Sequence, residues 1–280
     1  MSNIKKTFSQ LKKEKDVALI MYIMAGDPDM TTTKALVLEM EKAGCDIIEL
    51  GVPFSDPLAD GSTIQSAAIR SLKNETNISD VFKLVSEIRK TSTIPLIVMT
   101  YYNLILNYGE ERFVTNAVSV GLDGIILPDL PPEEAKALIG YSKKAGLDVI
   151  FLLAPTSTEE RIGLVCKMSH GFIYYVSLTG VTGSSLGTQY SIKESVGKIK
   201  AITKKPVAVG FGISTPTQAA QIASCGADGV IVGSALVKII ENNIDNQSII
   251  VTHACEFVRA IKRELRAGGV SMEKNCKREN

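Results

Sequence analysis

Histidine is scarce in this chain, and cysteine falls at no metal-type spacing. It carries two histidines, His170 and His253, and five cysteines at 45, 166, 225, 255 and 276. The cysteines form no C-x-x-C pair or other metal-ligand spacing, so no metal site is expected and buried reduced thiols are. An excess of one charge is also missing. A formal net charge of +1 argues against a surface built for nucleic acid or anionic lipid. Only the stretch from Arg259 through "RAIKRELRAGG" to "EKNCKREN" is locally basic, which reads as a solvated last helix and a flexible tail over 267–280. Apolar runs stay short: "VALIMYIMA" from Val17 is far below the roughly 20 residues of a spanning helix. The lysine-rich first residues lead into no signal-type apolar core and cleavage site, so a cytoplasmic protein is expected. "MAGDPD" at 24–29 does not fit the dinucleotide fingerprint G-x-G-x-x-G, which weakens a doubly wound open sheet. No composition break marks a second domain, so one domain over 1–266 is expected.

What the chain does have is a repeat. "AGCDIIELG" at 43, "VGLDGIILP" at 120, "AGLDVIFLL" at 145 and "CGADGVIVG" at 225 each place a glycine, then an aspartate, then a short apolar run. The glycine supplies a left-handed helix cap, and the apolar run suits a strand buried on both faces. Residues 17–24, 95–100, 172–176 and 206–210 supply four further strands. Amphipathic stretches such as "TTTKALVLEMEKAG", "ISDVFKLVSEIRKT", "EERFVTNAVSVG", "PPEEAKALIGYSKKAG" and "TPTQAAQIASCG" lie between them, several opening on residues that start helices. Strands alternating with helices over this length predict an α/β fold of the (β/α)8 TIM barrel type, with an extra N-terminal helix at 7–15.

In such a barrel the chemistry sits at the C-terminal ends of the strands. "ELGVPFSDPLADG" (49–61) occupies that place after the second strand. Alternation puts Ile47 and Glu49 on one face and Ile48 and Leu50 on the other, so Glu49 points into the barrel mouth. The alternative is a glutamate paired with a lysine or arginine. Asp60 precedes "GSTIQSAAIRSL", and from spacing alone a helix N-cap is its simpler role. Asp56 before Pro57 fits a turn. The loop "SLTGVTGSSLGT" (177–188) has the small residues of a mobile lid or of a plain connector. "VGFGIST" (209–215) and "VGSALVK" (232–238) end the last two strands with glycines before helices, the usual phosphate site of a barrel.

These segments resemble the tryptophan synthase alpha subunit family. The resemblance runs through "ELGVPFSDPLADG", "MTYYN" (99–103), "LPDLPPEE" (127–134), "SLTGVTG" (177–183), "GFGIS" (210–214) and "GVIVGSALVKIIE" (229–241), in order, over roughly residues 8 to 260. It implies a lyase that cleaves indole-3-glycerol phosphate to indole and glyceraldehyde 3-phosphate by a retro-aldol reaction in tryptophan biosynthesis. A proton must reach indole C3, and another must leave the glycerol hydroxyl beside the scissile bond. Glu49 matches the family's acid–base residue, Asp60 the carboxylate that takes the indole N–H, and Tyr174 a supporting tyrosine one residue from Tyr175. The resemblance also assigns Tyr22, Tyr101 and Asp129 to the indole pocket, with barrel packing the alternative for both tyrosines. Gly183, Gly212, Gly233 and Ser234 match phosphate positions, and Thr182 the lid residue that touches the Asp60 loop. Ser62, Tyr102 and Leu178 depart from the common pattern. No metal or organic cofactor is implied in this subunit. A pyridoxal-phosphate-dependent beta subunit is implied as partner, in a complex of two alpha and two beta chains. The alternative function is a weakly active regulatory subunit of that partner. A sugar-phosphate isomerase barrel does not account for the specificity of residues 49–61.

Overall fold

The computed structural model describes residues 2–177, 185–210 and 212–276. Helix α1 (Asn3–Glu14), capped by Ser2, precedes β1 (Ala18–Met24), α2 (Met30–Ala43) and β2 (Ile47–Gly51). Two helices follow, α3 (Ser62–Lys73) and α4 (Ile78–Arg89), then β3 (Leu96–Met99), α5 (Tyr102–Tyr108), α6 (Glu110–Ser119) and β4 (Gly124–Ile126). Next come α7 (Lys136–Ala145), β5 (Asp148–Ile150), β6 (Leu152–Leu153), α8 (Glu159–Met168) and β7 (Ile173–Val176). The chain continues through α9 (Ser185–Ile202), β8 (Val207–Gly210), α10 (Pro216–Ser224), β9 (Gly229–Val232), α11 (Ser234–Asn242) and α12 (Gln247–Cys276). Residues 277–280 of the expected tail lie outside the described residues.

All the pairings are parallel, in the order β5-β4-β3-β2-β1-β9-β8-β7-β6. Only Phe151 separates β5 from β6, and the two pair with β4 and β7 respectively. They are two halves of one interrupted strand, through which the sheet closes into the expected (β/α)8 barrel.

Side-chain caps start α1, α2, α4, α8 and α10. The Asp29 side chain accepts the Thr32 N–H at 2.7 Å, and Asn77–Asp80 and Thr215–Gln218 form capping boxes. Some starts differ from expectation: α1 begins at Asn3 instead of residue 7. "PPEE" is not the first turn of α7, which begins at Lys136 with no side-chain cap. The strands predicted at 95–100 and 206–210 begin one residue later, because Pro95 and Pro206 contribute only carbonyls, to the Ile48 and Ile173 N–H groups.

Alternation sorts the strand residues into two cores. Ala18, Ile20, Ile47, Ile97, Ile126, Ile150, Phe172, Ala208 and Ile231 fill the barrel, sealed at the N-terminal end by Ile4, Phe8 and Leu11 of α1. Leu19, Met21, Ile48, Leu50, Leu96 and Val98 face the helices instead.

The repeated aspartate has a job at that sealed end. Asp46, Asp123 and Asp228 accept the N–H of Leu19, Leu96 and Val207 at 2.7, 2.9 and 2.8 Å, each among the first two residues of a neighbouring strand. Each also meets a cation, Lys262, Arg89 and Lys200 respectively. The fourth, Asp148, accepts from Ser2 Oγ at 2.6 Å. The repeat is therefore a device of the closed, N-terminal rim.

Candidate active site

Strand β2 brings Glu49 to the open end of the barrel, beside Tyr22 of β1 in the parallel register. Glu49 is 1% exposed, and its Oε2 has no hydrogen-bond partner among the described residues. No ion pair involves it among those residues, so the paired-charge alternative does not hold. Burial first, and then the charge of Asp60, push its carboxyl up to about 8.

The loop from Val52 to Gly61 folds back over the mouth. Phe54 stacks on Tyr101, with ring centroids 5.0 Å apart at 27°. The Tyr101 hydroxyl accepts the Ala59 N–H at 3.0 Å, beside the Asp60 carboxyl whose ionised form it favours. Burial pushes Asp60 up to about 6, with Tyr101 opposing it. The helix cap that spacing assigned to Asp60 belongs to Gly61, which makes no side-chain capping bond. Helix geometry needs the cap's φ and ψ one residue further on, and that leaves the Asp60 carboxylate free to turn toward Tyr101.

Tyr22 and Tyr174 both face into the barrel, whereas Tyr175 is buried among the helices. Burial raises both inward phenols well above the usual range; the neighbouring charges of Asp60 and Glu49 add to this. Two glycines make room for them. A Cβ on Gly210 would sit 2.7 Å from the Tyr174 hydroxyl, and one on Gly51 would overlap the ring and hydroxyl of Tyr22. Neither glycine was singled out as a site residue from sequence. The cue was there, since each ends a strand one layer above an inward tyrosine.

The remaining expected residues are less concentrated. Gly233 is the N-cap of α11 and Ser234 its exposed first residue; Gly212, at φ +76°, lies in the turn after β8. Asp129 is exposed and accepts the Tyr102 N–H at 3.0 and 3.1 Å. It supplies the helix-start acceptor for α5 that Tyr101 lacks, one residue from the tyrosine beside Asp60. The Tyr102 hydroxyl donates to Glu110 at 3.1 Å, tying α5 to α6. Thr182, Gly183 and Leu178 lie outside the described residues. Among the described residues no cluster of His, Cys, Asp and Glu fits a metal ion, and no helix is long and apolar enough to cross a membrane.

The constellation is thus an unpaired buried carboxyl, a second raised carboxyl on a loop, and two deep tyrosines, with glycine-led helix starts on the same rim. The family model for the tryptophan synthase alpha chain matches residues 8–266. The chain belongs to that family. It is 49% identical over 269 residues to the tryptophan synthase alpha chain of Geotalea uraniireducens, covering 96% of this chain and 100% of the relative. Its fold matches the tryptophan synthase alpha subunit of Legionella pneumophila with a TM-score of 0.89 at 39% identity, covering 95% of this chain and 99% of that one. A chain of the tryptophan synthase α2β2 complex of Pyrococcus furiosus matches at TM-score 0.82 and 38% identity, over 88% of this chain and 98% of that one. The known activity of tryptophan synthase alpha chains is lyase cleavage of indole-3-glycerol phosphate in tryptophan biosynthesis, and this chain is an enzyme subunit of that kind.

Proposed function

We propose that Glu49 and Asp60 carry the cleavage, in a single barrel domain over residues 1–266. The observation that carries this reading is a fully buried carboxyl with no ion-pair partner among the described residues and a second carboxyl near enough to raise it. Glu49 starts protonated and gives its proton to indole C3, which becomes tetrahedral. The positive charge that develops on the ring nitrogen is held through its N–H by ionised Asp60. The Glu49 carboxylate then removes the glycerol hydroxyl proton next to the scissile bond. The O–H electron pair forms the aldehyde carbonyl and the C–C pair returns to the ring, releasing indole and glyceraldehyde 3-phosphate. Glu49 ends protonated, ready for the next turnover. Tyr174 and Tyr22 line the ring site with Tyr101, which also favours ionised Asp60. Gly183, Gly212, Gly233 and Ser234 take the phosphate, Gly233 and Ser234 at the start of α11, where amide groups favour an anion. Thr182 belongs to the lid, and Asp129 acts on the pocket through the start of α5.

The same reading includes a beta subunit that carries pyridoxal phosphate, in an α2β2 complex. Supporting it are the solved complex named above and Leu58, 84% exposed at the tip of the loop that bears Asp60. Docking there would shift the loop toward its closed arrangement and speed cleavage. A cytoplasmic setting is supported by four buried cysteines that are all free thiols. The test is indole release from indole-3-glycerol phosphate by the purified chain, alone and with a beta subunit. Slow release alone and faster release in the complex are expected. No indole in either case refutes the proposed chemistry; equal rates with a verified bound partner refute the coupling.

A further inference from the structure

Helix α3 starts two residues after Asp60, so its placement governs where that carboxylate lies. Its other end is fastened by one guanidinium. Arg70 Nε and Nη2 donate to Asp27 Oδ1 and Oδ2 at 2.7 and 2.8 Å, a fork on a carboxylate whose side chain is wholly buried. The third nitrogen, Nη1, donates to Glu241 Oε1 at 2.8 Å in the last turn of α11. Ser71 Oγ adds a bond to Ala25 O at 2.6 Å and Asn74 Nδ2 one to Gly26 O at 3.2 Å. Between these ties Ile64, Ala67 and Ala68 of α3 pack with Tyr22 and Met24 of β1 and Val237 of α11.

Three elements meet at Arg70, and each carries part of the pocket. Asp27 follows the strand of Tyr22, α3 follows Asp60, and α11 begins at Ser234 behind Gly233. We infer that Arg70 is a positioning residue for the cleavage: it holds the ring end of the pocket, at Asp60, at a set distance from the anion end, at Gly233 and Ser234. This rests on the function proposed above, in which the intact substrate spans both ends. Arg70 itself touches no reacting atom. A lysine keeps the charge against Asp27 but is a point donor that cannot fork on one carboxylate and reach a second.

The molecule contains its own control. Arg89 and Asp123 form a comparable pair at the closed rim, with Nη2–Oδ2 at 2.6 Å and the same 17% side-chain exposure for the arginine as at Arg70. Arg70→Lys and Arg89→Lys are compared in the full chain, together with melting temperature. For Arg70→Lys, kcat/KM for indole-3-glycerol phosphate is expected to fall about 10- to 100-fold, as misplacement of a site by about 1 Å does. Binding of glycerol 3-phosphate alone, which occupies one end, is expected to stay within about twofold, since a fragment feels no change in span. Arg89→Lys should lose melting temperature with kcat/KM nearly unchanged. Equal kinetic effects of the two variants, or a fragment affinity that falls in step with kcat/KM, overturns the inference. If Arg70→Lys does not fold, Glu241→Ala removes the acceptor of Nη1, so it cuts only the arm to α11 and leaves the buried fork intact. It should raise KM for the intact substrate several-fold without weakening the fragment, and an unchanged KM would overturn the inference. A wild-type chain that releases no indole, alone or with a beta subunit, refutes the parent reading instead, which separates the two failures.

Discussion

The ring of Tyr22 lies directly over Gly51, across the β1–β2 pairing. A Cβ at position 51 would sit 2.8 Å from the tyrosine's Cζ and closer still to its hydroxyl. The last residue of β2 is therefore small because an aromatic side chain from the layer below needs its space. That layer also contains Glu49, so the packing and the carboxyl's surroundings are one problem.

Gly51→Ala should accordingly destabilise the barrel by about 1–3 kcal/mol, the usual range for forcing extra volume into a packed site, and lower cleavage by displacing Tyr22. Adding Tyr22→Phe should recover part of the stability, since the hydroxyl is the worst clash. Urea denaturation of the two single variants and the double variant checks this. Strict additivity would mean that residues 22 and 51 do not compete for the same space.

The pH dependence of kcat/KM should be bell-shaped. The proposed cycle needs Asp60 ionised and Glu49 protonated, and their carboxyls lie at about 6 and about 8. Activity should fall below the lower value and above the higher one, with both limbs belonging to the coupled pair. A rate that keeps rising beyond the higher limb would contradict the role given to protonated Glu49.

Glu49→Gln should cut cleavage by about 10²- to 10⁴-fold, the range for a lost general acid–base group. Its effect on folding has a sign that can be worked out. Because the folded value is raised from 4.5 to about 8, the native state binds more protons than the unfolded chain between those values. Wild-type stability contributed by this group is therefore full below the lower value and is lost as pH rises toward the higher one. Glutamine does not titrate, so the variant should gain on the wild type between pH 5 and pH 8. Denaturation at those two values, with no relative gain, would show that Glu49 is solvated or paired.

Lys262→Met tests the opposite rim. The buried ammonium lies 3.0 Å from Asp16 Oδ2 and 2.8 Å from Asp46 Oδ2, and also donates to Val17 O at 3.1 Å. Removing it leaves Asp46 without its cation and Asp16 with only the exposed Arg266, where water has little access, which should destabilise the fold by about 3–5 kcal/mol. KM should not move, because this network closes the N-terminal end of the barrel, far from the loops at the mouth. A changed KM with unchanged stability would reverse that assignment.

The sequence by itself determined what depends on neighbours along the chain. Glycine–aspartate–apolar repeats and alternating amphipathic segments specify a parallel barrel, because turn conformation, helix capping and the period of two in a strand are local properties. The same period set Ile47 and Glu49 on one face, and both point into the barrel. Two local rules misled: Asp60 has the spacing of a helix cap, and "PPEE" the composition of a first helical turn. In each case the cap position is decided by where the helix must pack, one or more residues further on. Other facts needed tertiary structure outright. That Glu49 has no ion-pair partner among the described residues depends on which side chains the barrel brings to its mouth. That Asp129 spends its carboxylate on the start of α5, and that Arg70 joins Asp27 to Glu241, depends on side chains brought together from distant elements. Local spacing carries no information about such meetings; barrel closure creates them, by bringing the ends of separate strands and helices onto one rim.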